Sequence, residues 1–299
     1  MAKGKMMKSQ TWDDEITRDD EMVQPQQALA GQVALVTGGS RGLGRAYAQA
    51  LAGAGAAVAV TARSEQGLAE TVRQIEAAGG QARAVRMDVT DAAMIARVVG
   101  EVQQQWGPLD LLVNNAGVLS PAGPDWEVDP ERWWRTFEVN VRGPFLCSQA
   151  VLPGMIARRR GRIINVSSGA ANSYMAHATG YSASKAAVTN WAGGLAAAAK
   201  EHGIAVFAWD PGFVRTAMSE YLAQSDEVRQ WFGDTFQQWF EAGRDIPIER
   251  SAGQFMLLAS GRLDGLSGRQ LGVEQDLLDL ANRVAEIERD DLLTLRLRT

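Results

Sequence analysis

The sequence predicts an α/β protein, a doubly wound parallel sheet of about seven strands with helices on both faces. Short apolar runs alternate with helix-like segments from Gly31 onward. The alternation repeats roughly every 25–30 residues, which is the length of one strand–helix–strand unit. The 299 residues are 46% apolar and 22% charged, a composition that lets one domain bury a large core without disulfides.

Three strand–helix units fill the first half of this domain. Strands are predicted where a short run of mainly apolar residues lies between turn residues, and helices where apolar residues recur three and four apart. The second helix stops at Gly79-Gly80, a helix-end signal. In order, the elements are strand 33–37, helix 43–54, strand 58–61, helix 68–78, strand 82–87 and helix 92–106.

The second half continues the same alternation with longer helices. Its elements are strand 109–113, a long helix 131–159, strand 162–166, helix 181–201, strand 204–209 and a last strand 269–273. No linker rich in Pro, Gly or Ser interrupts residues 31–275, so we predict one domain there.

Two segments are predicted to lie outside this domain. Residues 1–30 are polar and lack sustained periodicity, so we expect a mobile arm with order beginning at Gly31. Residues 276–299 form a C-terminal extension. Its first part carries a helical stripe made of Leu277, Leu280, Val284 and Ile287. Its end alternates Leu and polar residues at positions 293–298, which is strand period, and the alternation places Leu293, Leu295 and Leu297 against protein, within one subunit or on a neighbour. We expect this tail to add contacts within a homo-oligomer and to border the pocket.

Composition excludes several classes of function. The net charge of −5 argues against a general nucleic-acid binder, which would carry a basic surplus. No segment reaches the length and apolarity of a membrane span, and no apolar run follows the lysines near the N-terminus, so no signal peptide is expected. The single Cys147 fits a reducing cytoplasm. No His, Cys and acid cluster predicts a metal site.

A glycine-rich loop between the first strand and first helix predicts dinucleotide binding. Glycines allow a tight turn and close approach of a pyrophosphate, and the following helix offers free N–H groups. The predicted cofactor residues here are Gly38, Ser40, Arg41, Gly42, Leu43 and Gly44. The arrangement is that of a Rossmann-like fold, because the loop follows a strand and opens a helix.

The residues after the second strand favour NADP over NAD. NAD sites place an acid there for the ribose 2′-hydroxyl, whereas NADP sites offer an arginine. Here the chain reads Thr61-Ala62-Arg63-Ser64 with no acid. Arg41 in the loop reaches the same region, and a guanidinium matches a phosphate bidentately.

Three residues predict acid–base chemistry. Tyr181 and Lys185 are four apart at a helix start, so both lie on one face. A nearby ammonium and a cationic nicotinamide would favour the phenolate and lower the pKa of Tyr181, which then exchanges a proton with a substrate oxygen. Ser168, thirteen residues before Tyr181, is placed to hydrogen-bond the same oxygen.

With these motifs, the chain resembles the short-chain dehydrogenase/reductase superfamily over about residues 31–275. The resemblance rests on the loop 37–44, Asp88-Val89, Asn114-Asn115-Ala116-Gly117, Asn140, Val166-Ser167-Ser168, Tyr181-x-x-x-Lys185 and Asp210-Pro211-Gly212, in this order. It implies hydride transfer between NADPH and a carbonyl carbon, from the 4-pro-S position.

The resemblance also implies a role for each residue. Tyr181 is the acid/base, Ser168 polarises the substrate oxygen, Lys185 binds the nicotinamide ribose, and Asn140 holds a relay water. Asp88, with Val89, lies at the adenine and Asn115, Ala116 and Gly117 at the adenosine ribose, while Pro211, Gly212, Val214 and Thr216 meet the nicotinamide. Members are commonly dimers or tetramers, formed through helices equivalent to 131–159 and 181–201.

Two departures from the superfamily stand out. Asp210 precedes Pro-Gly where Asn, Ser or Ala is more common, and the last strand lacks the usual Asp-Gly-Gly ending. Residues 217–246, in the position of the substrate lid, carry an aromatic cluster. The cluster indicates a helix that packs its apolar face on the body, a lid that covers a bulky apolar substrate, or both, and we expect both. His177 lies in the loop that walls the pocket in this superfamily.

Three functions remain open from sequence alone. The first is an NADPH-dependent reductase or dehydrogenase for a small-to-medium apolar ketone or alcohol. The second is a 3-oxoacyl-carrier-protein reductase, whose acidic partner would dock on the arginine run 158–162 unless that run is a solvated helix end. The third, a catalytically silent NADP sensor, conflicts with the presence of Tyr181, Lys185 and Ser168.

Overall fold

The computed structural model describes residues 27–119 and 121–296, and in them seven strands form one parallel sheet. The sheet order is β3-β2-β1-β4-β5-β6-β7. The strands are β1 (Val33–Thr37), β2 (Ala57–Ala62), β3 (Gln81–Arg86), β4 (Leu111–Asn114), β5 (Gly161–Val166), β6 (Ile204–Asp210) and β7 (Gln270–Gly272). Because β1 pairs with both β2 and β4, the chain reverses its direction of travel across the sheet there. This confirms the predicted doubly wound fold.

Twelve α-helices surround the sheet within the described ranges. They are α1 (Gly42–Gly53), α2 (Glu65–Ala77), α3 (Ala92–Trp106), α4 (Pro130–Phe137), α5 (Gly143–Arg158), α6 (Thr179–Ala199), α7 (Ala217–Gln224), α8 (Asp226–Phe232), α9 (Thr235–Glu241), α10 (Ile248–Ala259), α11 (Leu277–Asn282) and α12 (Val284–Arg289). None of these helices is long and apolar enough to cross a membrane.

Alternate residues of each strand build two separate cores. In β1, Ala34 and Val36 belong to one apolar cluster and Val33 and Leu35 to the other, because successive side chains point to opposite faces. The first cluster includes residues of α1, α2 and α10, and the second includes residues of α3, α5 and α6. Burial on both faces explains why the central strands β1 and β4 are nearly continuous apolar runs.

The ordered domain begins earlier than the predicted Gly31. Leu29 is 1% exposed, and its N–H donates to the Ala54 carbonyl at 2.9 Å. A buried leucine of this kind contributes roughly 1.5–3 kcal/mol, so residues 27–30 belong to the domain. The rest of the predicted arm, residues 1–26, lies outside the described residues.

The predicted helix 131–159 is interrupted. Residues Glu138–Arg142 form a π-helical turn between α4 and α5, in which the Gly143 N–H donates to the Glu138 carbonyl. Pro144 comes next and has no N–H to give to a carbonyl four residues earlier, which favours the wider turn. The turn contains Asn140, one of the predicted site residues, and such turns are frequent at functional sites.

The C-terminal extension packs on its own subunit. Leu277 and Ile287 are each 1% exposed and join the core cluster of the sheet, with Leu280 and Val284 packed against it. The predicted helical stripe is therefore confirmed, although it belongs to two short helices that meet at Arg283. The predicted strand at the chain end is wrong. Residues 293–296 contain bends and no strand, and this segment meets β7 through the Gln270 N–H, which donates to the Leu293 carbonyl at 2.9 Å. Residues 297–299 lie outside the described part.

The arginine run at the end of α5 is engaged in structural contacts. Arg158 and Arg160 approach the carboxylate of Asp110 at 2.9 and 3.5 Å, and Arg162 pairs with Asp264 at 2.6 Å. Asp110 is 7% exposed, so its charge requires these partners. These pairs favour the structural alternative for this run over carrier-protein docking.

The packing of the extension predicts a stability effect. Replacing Ile287 with Ala should lower the free energy of unfolding by about 2–5 kcal/mol, because the side chain is fully buried and leaves a cavity. Leu278→Ala on the neighbouring helix, where the side chain is 47% exposed, should cost less than about 0.5 kcal/mol. Urea unfolding of both variants measures the difference. Equal destabilisation would show that the extension does not dock as described.

Candidate active site

One large cleft lies at the carboxyl edge of the sheet and encloses about 1740 Å³. Its position is dictated by the parallel strands, whose loops all leave from that edge. The cleft wall contains Ser168, Tyr181, Lys185 and the predicted cofactor residues Gly38, Ser40, Arg41, Gly42, Leu43, Gly44, Arg63, Asp88, Val89, Asn115, Ala116, Gly117, Pro211, Gly212, Val214 and Thr216. Asn140 is the one predicted residue that does not line it.

The glycine loop is held too tightly for any side chain at two of its glycines. Gly38 has φ +68°, and a Cβ there would lie 2.8 Å from Asn115 Nδ2. A Cβ at Gly44 would overlap the Gly38 carbonyl. Asn115 fixes the loop by donating from Nδ2 to the carbonyls of Thr37 and Gly38 at 2.9 and 3.2 Å. The loop after β4 thereby shapes the loop after β1.

The start of α1 is open to the cleft. Its N-cap residue, Arg41, makes no side-chain capping bond within the described structure, so the first N–H groups of the helix have no side-chain acceptor. Arg41 and Arg63 are both exposed at the cleft. Among the described residues neither guanidinium has a hydrogen-bond or ion-pair partner. The two cations and the helix start form a site suited to phosphate groups.

Asp88 stands beside these cations. Burial raises the pKa of this carboxyl, but hydrogen bonds from the Thr90 N–H and hydroxyl, together with Arg135 and Arg63, outweigh burial and lower it. Arg135 approaches Asp88 at 3.5 Å. Asp88 is therefore an ionised acceptor at neutral pH. Its two hydrogen bonds from Thr90 hold the turn after β3 in place.

Tyr181 and Lys185 share one face of α6, on which Lys185 is buried and Tyr181 is partly buried. The Lys185 Nζ donates to the Val166 carbonyl at 2.8 Å and lies 5.7 Å from the centre of the Tyr181 ring. Burial lowers the pKa of Lys185 to about 8, although Asp210 acts in the opposite direction. The i, i+4 spacing thus places the pair together, as the sequence predicted.

The pKa of Tyr181 moves opposite to the sequence-based expectation. Burial raises it, a hydrogen bond with the Ser168 side chain lowers it, and Asp210 raises it further. Burial prevails because an unsolvated phenolate is costly and the cofactor cation is not part of this balance. Tyr181 is therefore a protonated donor at neutral pH, next to the Ser168 hydroxyl.

Asp210 is the charged group that completes this cluster. Its Oδ1 accepts the Gly212 N–H at 3.0 Å, and it lines the cleft at the end of β6. Burial raises its pKa, hydrogen bonds from the Gly212 and Gly169 N–H groups lower it, Glu274 raises it and Lys185 lowers it. The carboxylate ties the loop after Ser168 to the loop after β6.

Comparison with known proteins identifies the family. The model of the short chain dehydrogenases matches residues 32–227. The chain belongs to the short chain dehydrogenase family. It is 37% identical to a short chain dehydrogenase of Pseudocercospora fijiensis, over 83% of this chain and 82% of that protein. It is 33% identical to the gluconate 5-dehydrogenase of Gluconobacter oxydans, over 83% and 94%.

A solved structure extends the comparison. The crystal structure of a Phe-to-Trp variant of actinorhodin polyketide ketoreductase with NADPH matches with a TM-score of 0.74 and 32% identity, over 81% of this chain and 95% of that one. The chain is thus an oxidoreductase of alcohol and ketone groups, in a family that binds nicotinamide cofactors.

Asn140 lies behind the wall of the cleft. It is 2% exposed, accepts the Val118 N–H and donates to the Val118 carbonyl, each at 2.9 Å, and donates to the Ser184 hydroxyl at 3.0 Å. A Cβ at Gly117 would lie 3.4 Å from Asn140 Oδ1 and 3.8 Å from Lys185 Nζ. Asn140 therefore joins the loop after β4 to α6.

The predicted lid segment, residues 217–246, covers part of the cleft with aromatic rings. Phe232, Phe236 and Trp239 line the cleft and pack on one another and on Phe213. His177 does not line it, because its ring packs against Trp231 and Phe232 at 5.2 and 5.9 Å. The aromatic cluster therefore both packs on the body and faces the cleft.

Two residues at the cleft, Gln270 and Arg45, were missed from sequence, whereas the C-terminal tail was expected to border the pocket. Gln270 of β7 donates from Nε2 to the Ser168 carbonyl at 3.4 Å, and residues 293–296 line the cleft beside it. Arg45 holds the glycine loop by donating to the Ser40 carbonyl at 2.6 Å. Gln270 acts on a loop 102 residues away in sequence, so no local pattern marks it, and no motif marks Arg45 although Ser40 lies only five residues before it.

Proposed function

We propose that this protein is an NADPH-dependent reductase of small-to-medium apolar ketones, with Tyr181 as the acid that protonates the substrate oxygen. The observation that carries the proposal is the cluster of Tyr181, Ser168 and the buried Lys185 in a cleft that also contains two arginines without a partner in the described chain. A tyrosine kept protonated by burial suits the reductive direction, since that direction needs a proton donor.

We propose that the dinucleotide lies along the cleft. The uncapped start of α1 and the tight glycine loop would hold the pyrophosphate, and Arg41 and Arg63 would hold a 2′-phosphate. Asp88 with Val89 would face the adenine, and Asn115 to Gly117 the ribose. Pro211, Gly212, Val214 and Thr216, in the loop after β6, would meet the nicotinamide. When bound, NADPH supplies the hydride.

The chain's own residues would manage the proton. Tyr181 gives its hydroxyl proton to the carbonyl oxygen, and the Ser168 hydroxyl donates a second hydrogen bond to that oxygen. Lys185 holds the ribose hydroxyls, and its ammonium stabilises the phenolate left on Tyr181. Asn140 would hold a water that returns a proton through Lys185. The Lys185–Val166 bond at 2.8 Å keeps the ammonium in place.

The cleft wall supports an apolar ketone as substrate. The lid aromatics Phe232, Phe236 and Trp239 offer rings to the body of the substrate, and apolar contact of this kind is the usual basis of pocket affinity. A lid segment that packs on the body is also suited to exclude water from the site.

A 3-oxoacyl thioester reductase is the second candidate. The likeness to a polyketide ketoreductase with NADPH supports a 3-oxoacyl substrate. The pairing of Arg158, Arg160 and Arg162 with carboxylates of this chain weakens the argument that this run docks an acidic carrier. Assays on simple ketones and on acyl thioesters compare the two.

We also propose a homo-oligomer through α5 and α6, where Phe145 is 46% exposed beside Trp191.

Replacing Arg41 and Arg63 with Ala should weaken NADPH binding far more than NADH binding. Each charge-assisted bond contributes about 1.5–3 kcal/mol, so the double variant should lose at least about tenfold in NADPH affinity. Fluorescence titration with both cofactors measures the effect. Arg73→Ala removes an exposed arginine that pairs with Glu70 and serves as control. Equal weakening of both cofactors would contradict the assignment.

Replacing Tyr181 with Phe should lower kcat at least about a hundredfold, since it removes the proton donor while keeping the ring. Affinity for NADPH should stay near wild type. Tyr174→Phe is the matched control, because Tyr174 also lines the cleft but is fully exposed. The measurement is NADPH consumption with a ketone panel. Retention of most turnover by the Tyr181→Phe variant would place the acid elsewhere.

Replacing Asp210 with Asn should move the alkaline limit of activity to lower pH. The negative charge of Asp210 raises the pKa values of both Lys185 and Tyr181. Its removal lowers both, so each group loses its proton at lower pH, and Glu274 is the remaining acid beside it. Profiles of kcat/KM from about pH 6 to 10 measure the shift. Asp226→Asn, at a 97% exposed side chain, should leave the profile unmoved, and an unmoved profile for the Asp210 variant would refute the coupling.

A further inference from the structure

The last described residues of the chain line the cleft and are linked to Ser168 through a single residue. Residues 293–296 line it. The Leu293 carbonyl accepts the Gln270 N–H at 2.9 Å, and the Gln270 side chain donates to the Ser168 carbonyl at 3.4 Å. One residue, Gln270, therefore separates this segment from the serine that we propose to contact the substrate oxygen.

An ion-pair cluster fixes the segment. The Asp291 carboxylate accepts from Arg269 at 2.7 Å and from Arg296 at 2.8 Å, and Arg269 also donates to the Leu292 carbonyl at 2.9 Å. The Arg269 side chain is only 13% exposed, so its ion pair is partly shielded from water and stronger than a typical surface pair. We call residues 291–296 the C-terminal latch.

Backbone conformation shows that the latch is built into the fold. Among the described residues, three non-glycine residues have positive φ, namely Arg159, Asp291 and Leu293. Two of these lie in the latch, at +47° and +60°. Such conformations are unfavourable for non-glycine residues and persist only when surrounding contacts enforce them. The contacts from Arg269 and Gln270 supply that enforcement.

The guanidinium of Arg296 is already paired with the Asp291 carboxylate. Its Nε donates to that carboxylate, and its Nη1 donates to the Leu295 carbonyl at 2.9 Å. What the latch offers to a substrate is therefore mainly the bulk of Leu293, Thr294 and Leu295. Bulk at the end of a pocket limits the length of substrate that fits.

We propose that the C-terminal latch is a wall of the substrate pocket that sets the longest ketone the enzyme accepts, with Asp291 as its positioning residue. This inference rests on the proposed ketone reductase function. It assigns a part in substrate selection to residues 291–296, in addition to the lid segment.

The test is a series of methyl ketones from 2-butanone to 2-decanone with NADPH. Asp291→Asn keeps the left-handed conformation, which Asn tolerates, and removes both ion pairs. It should raise kcat/KM for 2-decanone relative to 2-butanone at least about fivefold, with kcat for 2-butanone near wild type. Asp290→Asn changes the adjacent acid, which pairs with Arg289 outside the cleft, and should leave the ratio unchanged.

A second variant tests the opposite sign. Thr294→Trp adds bulk to the wall and should lower the same ratio at least about fivefold. Leu278→Trp, at an exposed position outside the cleft, is its control. An unchanged ratio in both latch variants, or equal losses for every ketone, would overturn the proposal.

A binding readout separates this inference from the proposed function. The dye anilinonaphthalenesulfonate, titrated with NADP present, reports filling of the apolar pocket without turnover. Thr294→Trp should weaken dye binding at least about fivefold, and Leu278→Trp should not. If the wild type reduces no ketone, the proposed function fails, and the effect of Thr294→Trp on dye binding still shows whether the latch is a wall of the apolar pocket. If the wild type reduces ketones and neither ratio nor dye binding responds, the latch fails alone.

Discussion

Parallel pairing of the seven strands is the constraint on which the site depends. All strands end at the same edge of the sheet, so residues that are far apart in sequence lie close together there. β1 contributes the glycine loop, β4 leads into Asn115, β5 leads into Ser168, and β6 ends in Asp210. Side-chain bonds then lock one loop to the next, as Asn115 does for the glycine loop.

Burial of ionisable groups at this edge costs free energy, and it also shifts the pKa values on which the proposed chemistry depends. Removing Lys185 and Asp210 from water disfavours their charged forms, which lowers one pKa and raises the other. The Val166 carbonyl and the Gly212 N–H partly replace the lost water. The same low-dielectric surroundings keep Tyr181 protonated and strengthen any hydrogen bond that it gives to a substrate.

The C-terminal extension pairs an N–H group of the edge strand β7 and also borders the cleft. β7 is the last strand, and its outer N–H groups would otherwise be unpaired. The Leu293 carbonyl satisfies the N–H of Gln270, and α11 and α12 bury Leu277 and Ile287 in the core. The position of the latch at the cleft follows from this docking, because β7 ends beside the loop of Ser168.

The sequence by itself determined the sheet, the order of its elements, the glycine loop and the Tyr181–Lys185 pair, because these follow from periods and spacings within a few residues. Tertiary structure decided what depends on distant contacts. The arginines of α5 pair with Asp110, 48 residues before Arg158, and Gln270 reaches Ser168 over 102 residues. It also decided the interruption at Asn140, the bends at the chain end and the direction of the Tyr181 pKa. Burial is a property of the folded assembly, and no local pattern encodes how far a side chain is removed from water.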